Sequence, residues 1–189
     1  MNRFLVILKN WFAYATAITL LCFLIYIIAQ QNFRQAANDP QYQIAEDAAT
    51  ALNKGADPKS LTAALAPVDL LKSLSPFLAI YDANGNDVAS NATLNGVAPK
   101  IPQGVLDNIR RIGGDAVTWQ PQPGIRQAAV AVRSARGIVV AGRSLRKTEE
   151  RVSLLAQQVL FGWAMSMVAM LVVVTLQEVM TKKLEQLAV

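Results

Sequence analysis

Two aromatic residues and two arginines are the side chains of this sequence best suited to holding a small molecule: Tyr81, Trp119, Arg126 and Arg143. An aromatic face beside a guanidinium suits a small carboxylate, because arginine presents paired donors to two oxygens. The competing assignment puts Tyr81 and Trp119 in a sheet-to-helix core and leaves the arginines to solvent or lipid head groups. Asp82-x-Asn84-x-Asn86 has the alternating oxygens that open a calcium loop, but Asp87 stands where that loop needs glycine and Thr93 where it needs glutamate. The segment therefore reads as a hairpin turn. Asn91-Ala92-Thr93 is a glycosylation sequon, a three-residue pattern that arises readily by chance.

Catalysis has little to draw on. The chain has no histidine, and its single cysteine, Cys22, lies in an apolar segment. No nucleophile elbow, Walker loop or paired metal-ligand cluster occurs. The expectation is a protein that is not an enzyme and that carries neither cofactor nor metal. With one cysteine no intramolecular disulfide can form, and the thiol reads as a small packing residue. The formal net charge is +5. Its basic residues are scattered, without interleaved aromatics, so no nucleic-acid partner is expected.

The elements that must position these residues are set by two uncharged stretches, Asn10 to Phe33 and Val152 to Gln177. Each contains an apolar run of roughly twenty residues, long enough as a helix to cross a hydrocarbon core of about 30 Å. The reading is a two-span membrane protein with these divisions: 1–10 cytoplasmic, 11–30 first span, 31–75 juxtamembrane and helical, 76–143 sheet domain, 144–158 connecting helix, 159–177 second span, and 178–189 cytoplasmic tail. Arg3, Lys9, Lys182 and Lys183 flank the spans, so the positive-inside rule puts both termini in the cytoplasm and the middle outside. Arg143, Arg146, Lys147 and Arg151 at the outer end of the second span run against that rule. No small-x-small site follows Ala29, which favours an uncleaved anchor over a removed signal. Neither span contains an ionisable residue, which argues against a transporter. Gly162-x-x-x-Ser166 permits close helix approach, and a homodimer through the spans is an open alternative.

Between the spans, Phe33 to Leu52 reads as a helix kinked or interrupted at Pro40. Asp57-Pro58 caps a short helix with Leu61, Leu65, Leu70 and Leu71 inward. Phe77 to Tyr81 is a strand, turned at Asp82-Ala83-Asn84-Gly85-Asn86, with Val88 to Leu94 returning. Pro102 to Ile112 is a helix with Val105, Leu106 and Ile109 inward, and strands follow at Val117–Trp119, Ala128–Val132 and Gly137–Ala141. Leu145, Thr148, Val152, Leu155 and Val159 form a heptad-like stripe leading into the second span.

That order predicts an α+β architecture: a small antiparallel sheet with helices on one side. The chain resembles the extracytoplasmic PAS-like sensor domain held between the two spans of many bacterial receptors and sensor histidine kinases. The resemblance covers Phe77 to Arg151. It is carried by Tyr81-Asp82-Ala83-Asn84-Gly85 with Ala89-Ser90, Val117-Thr118-Trp119-Gln120-Pro121, Pro123-Gly124-Ile125-Arg126, and Gly137 to Ala141 with Gly142-Arg143-Ser144-Leu145. It implies a cell-membrane sensor whose ligand or envelope signal shifts the Leu145, Val152, Leu155 and Val159 helix. Only thirteen residues, Gln177 to Val189, follow the second span, so output is expected from a separate signalling or envelope protein. The alternatives are an assembly subunit of an envelope complex and a receptor fragment without its output module.

Overall fold

The structure, a computed structural model, describes residues 3–187; residues 1–2 and 188–189, the extreme ends of the two segments expected to be cytoplasmic, lie outside it. Residues Phe33–Glu150 form one compact unit, and the parts of the two longest helices beyond that range form another.

The first long helix, α1, runs Arg3–Asn53 with Pro40 inside it. Pro40 was expected to kink or interrupt this helix. It does not end it: proline removes one backbone hydrogen bond, while Ala45, Ala48, Ala49 and Leu52 downstream are fixed by burial against the sheet. Asp57 caps α2 (Pro58–Ala63), its Oδ2 accepting from Ser60 N at 2.9 Å. Leu70 and Leu71 lie beyond that helix, after the two-residue strand β1 (Val68–Asp69).

Six further strands carry the domain with one helix between them: β2 (Phe77–Tyr81), β3 (Asp87–Ser90), β4 (Ala92–Thr93), α3 (Gln103–Ile112), β5 (Gly114–Gln122), β6 (Ile125–Ser134) and β7 (Gly137–Ser144). The main sheet is antiparallel in the order β3-β2-β7-β6-β5, and β1 pairs parallel with β4 in a separate two-stranded ladder. Thus β7, the last strand in sequence, is the middle one. The second long helix, α4, follows at Arg146–Leu187.

Alternate residues of a strand face opposite sides, and both sides are covered. Phe77, Ala79, Tyr81, Trp119, Ala129, Ile138 and Val140 share one face with Leu106 and Ile109 of α3. Leu78, Ile80, Val130, Val139 and Ala141 pack on the other against Ala45, Ala48, Ala49 and Leu52 of α1. The expectation of helices on one side is therefore corrected to helices on both. The alanines at the sheet-facing positions of α1 give no sign in the sequence of which side they cover.

In the other unit, α1 and α4 are each long and apolar enough to cross a membrane, with a mean hydropathy of 2.3 over their most apolar windows. They run antiparallel here. The Trp163 Nε1–H donates to Thr19 Oγ1 at 2.9 Å, and the Trp11 Nε1–H to Met167 O at 3.2 Å. The Thr19 hydroxyl in turn donates to Ala15 O at 2.7 Å. Val152, Leu155 and Val159 are half-buried on α4. An apolar groove of about 430 Å³ beside Val159 and Trp163 is lined on α1 by Thr19, Cys22, Phe23 and Tyr26.

Candidate functional site

The four candidate ligand residues separate into two pairs. Tyr81 and Trp119 belong to the core on the α3 face. Tyr81 is 2% exposed, and its hydroxyl donates to Pro99 O at 2.8 Å. Burial, reinforced by the charge of Asp87, pushes its phenol well above the ordinary value. Trp119 packs edge to face on Phe77. Arg126 and Arg143, by contrast, lie half-exposed and exposed at the junction between the sheet and α4.

That junction is built from backbone upward. Only Leu145 separates β7 from α4. Its N–H donates to Arg126 O at 2.9 Å, and its carbonyl accepts from Glu149 N at 2.8 Å, so the residue that ends the strand also starts the helix. Leu145 is 8% exposed, which fixes the exit of the chain by packing as well. Side chains then hold the helix root from two directions. Arg126 Nη1 donates to Glu149 Oε1 at 2.6 Å. Arg143 Nε donates to Leu74 O at 3.0 Å and Arg146 Nη2 to Lys72 O at 3.3 Å, tying in the loop that precedes β2. Along the helix itself, Lys147 pairs with Glu150 at 2.6 Å, and this hydrogen bond lowers the Glu150 carboxyl.

Beside Arg126 and Glu149 lies a cavity of about 50 Å³, closed by Leu70, Gly124, Ser144 and Arg146. It has room for one or two waters and is too small for a metabolite. Tyr81, Trp119 and Arg143 do not line it. The chemistry available at the junction is electrostatic and mechanical, a set of exposed charge-assisted bonds between a rigid sheet and the base of a long helix.

Comparison of the chain with family models, curated proteins and solved structures finds no match.

The Asp82 turn is closed on itself. Asp82 Oδ1 accepts from Asn84 N and Asn86 N, each at 2.8 Å, and Oδ2 accepts from Asn86 Nδ2 at 2.9 Å. The side-chain bond from Asn86 and the backbone bonds hold the carboxyl below its usual range. Gly85 adopts φ +89° over Leu106 and Arg110, a conformation that other residues resist.

Asn91 is the residue that sequence reasoning undervalued. It is 9% exposed. Its Oδ1 accepts from Leu78 N at 2.7 Å, its Nδ2 donates to Ala66 O at 2.8 Å, and its carbonyl accepts from Val68 N at 2.8 Å. One side chain thus joins β2, the end of β3 and the segment entering β1. The only signal in the sequence was the sequon, which points to a sugar rather than to a buried amide.

Proposed function

We infer that the chain is a membrane-anchored sensor or receptor-like protein. Its PAS-like extracytoplasmic domain would pass a ligand or envelope signal through α4 to a separate output partner. In this reading both apolar segments span a bacterial cell membrane and both termini are cytoplasmic. The observation that carries it is the single residue, Leu145, between the middle strand of the sheet and α4, a helix that runs unbroken into the apolar segment. A strand with neighbours on both sides cannot shift without the sheet shifting, and a helix carries an axial or rotational displacement along its length.

The membrane assignment is supported by exposure. Only 6% of the apolar window of α1 and 11% of that of α4 are buried. The core helix of a soluble domain would bury most of such a surface, and an apolar face of this extent needs lipid or a partner to cover it. The bonds at the helix root suit a relay because each is weak. Exposed ion pairs contribute about 0–1 kcal/mol, comparable with the 1–3 kcal/mol by which a ligand typically biases a two-state element.

The reading is tested by crosslinking the tagged full-length protein in intact cells and identifying what purifies with it, alongside a variant with Leu155 and Val159 replaced by polar residues. A signalling protein held by the native chain, whose output the variant no longer controls, is the expected result. An output unchanged in the variant overturns the relay. Recovery of envelope-assembly proteins alone replaces the sensor with a structural subunit.

A further inference from the structure

The two edges of the main sheet differ. The β3 edge is four residues long, and α2 packs against that strand. The β5 edge is longer, and among the described residues β5 pairs with β6 alone. Two hydrogen bonds fix which of its backbone groups face outward. The Leu145 N–H donates to Arg126 O, so the even-numbered residues of β6 address β7. The Arg133 N–H donates to Gly113 O at 2.8 Å, so the odd-numbered ones address β5. In an antiparallel ladder, hydrogen-bonded partners turn both groups toward each other, and the residues between them turn theirs away. Asp115, Val117 and Trp119 are registered with Ala131, Ala129 and Gln127. Gly114, Ala116 and Thr118 therefore direct their N–H and C=O groups off the sheet. The Ala116 N–H, free of β6, donates to Asp115 Oδ1 at 2.8 Å. Past Trp119 the register shifts and Pro121 follows, so the regular edge ends there.

We propose that Gly114–Trp119 is a docking edge that takes one extended segment of a partner protein as a sixth, antiparallel strand. A row of alternating donors and acceptors at strand spacing is matched by another strand. Natural sheets blunt an open edge with lysine, proline or a bulge. From Gly114 to Trp119 there is none of these, and the single charge is Asp115. That charge also describes the occupant. Asp115 accepts from Ala116 N and, at 3.3 Å, from Asn108 Nδ2, but among the described residues no lysine or arginine pairs with it. The fitting strand carries a lysine or arginine opposite Asp115, and β-branched residues beside the half-buried Val117 and the exposed Thr118. A second copy of β5 would bring another aspartate and no cation. The inference does not depend on α4 being a span, and it adds to the sensor reading a surface on the domain itself.

The probe is a synthetic peptide of alternating valine and threonine with one lysine near its C-terminus, titrated into the full-length chain in detergent. Binding is read by the fluorescence anisotropy of a dye on the peptide and by amide exchange of the protein. The native chain should bind saturably, and exchange should slow at Thr118, whose N–H faces outward, more than at Val117, whose N–H the ladder already holds. Thr118→Pro removes that outward N–H alone, at a position where an edge strand accepts proline. It should weaken binding about tenfold at a nearly unchanged thermal midpoint. Replacing the peptide lysine with glutamate should weaken binding about threefold. No binding, unchanged exchange at Thr118 in the native chain, or undiminished affinity in Thr118→Pro overturns the proposal. Equal affinity of the two peptides overturns the basic occupant. Dimers of the native chain that Thr118→Pro dissolves would give the edge to a second copy and overturn the proposal equally.

Discussion

The Phe77 and Trp119 rings meet edge to face with centroids 6.3 Å apart, although two strands lie between β2 and β5. Strands spaced about 4.8 Å apart put β2 and β5 roughly 14 Å from each other. The rings close that gap because the residues beneath them are small: Phe77 is registered with Gly142 on β7, and Gly142 with Ala129 on β6. A Cβ on Gly142 would fall 2.5 Å from the Phe77 ring.

Gly142→Ala should therefore destabilise the domain by about 1–3 kcal/mol through overpacking, and Trp119→Ala by about 3–5 kcal/mol through loss of the ring. Denaturant unfolding of the full chain measures both. A neutral Gly142→Ala would mean that the ring pair can move aside.

Asn91→Ala leaves the buried Leu78 N–H without its acceptor and should cost about 1–3 kcal/mol. Thr93→Ala destroys the same sequon from an exposed position and should change stability by less than about 0.5 kcal/mol. Equal effects of the two substitutions would contradict the structural role given to Asn91. The folded protein should also be a poor glycosylation acceptor, since Nδ2 is already donating to Ala66 O.

Titration separates two neighbouring carboxyls. Asp82 is held below the usual carboxylate range by its hydrogen bonds, and desolvation raises Asp87. A depressed carboxyl stabilises above its unfolded pKa and loses that contribution as pH falls through the folded value. The β2–β3 turn should thus loosen only in acid below the ordinary aspartate range. Carboxyl NMR should find Asp82 titrating at lower pH than Asp87, and the reverse order would contradict the turn geometry.

Glu149→Lys should leave the thermal midpoint nearly unchanged, because the Arg126–Glu149 pair is exposed at 41% and 44% and contributes about 0–1 kcal/mol. Amide exchange at the start of α4 should nevertheless accelerate. Exchanging the charges, Arg126→Glu with Glu149→Arg, should restore protection. Failure of that rescue would put the stiffness of the root in Leu145 rather than in the ion pair.

Thr19→Val removes the acceptor of the Trp163 indole. In lipid such interhelical bonds contribute about 0.6–2 kcal/mol, so the variant hairpin should separate at lower denaturing-detergent content. An unchanged midpoint would mean that Trp163 finds another acceptor.

Strands and helices whose signal is local were legible in the sequence. The run Phe77–Tyr81 is bounded by proline and a strong turn, and its structural limits coincide with the reading. The α3 helix announces itself by Leu106 and Ile109 and stops at Gly113, as its φ of +94° requires. The ladder of β1 with β4 was not legible, because two-residue strands have no periodicity and exist only by pairing with each other. The four candidate ligand residues are not brought together by the fold. Arg126 and Arg143 stand at the junction, but Tyr81 and Trp119 carry the same residue chemistry whether they line a pocket or fill a core. Their burial depends on partners such as Gly142 and Pro99, which only the fold brings near. The convergence of Lys72 on Arg146 joins residues far apart in the chain and leaves no local trace.

The place of β7 in the sheet also constrains how the domain can be made. Strand β2 sits between β3 and β7, and β7 does not begin until Gly137. During synthesis the apolar edge of β2 must wait unpaired while nearly the whole domain is produced, a demand of high contact order that slows closure and exposes the chain to aggregation. When β7 arrives, α4 follows one residue later. Completion of the sheet and emergence of the second apolar segment therefore fall together in time, and a chain arrested before Gly137 would lack both.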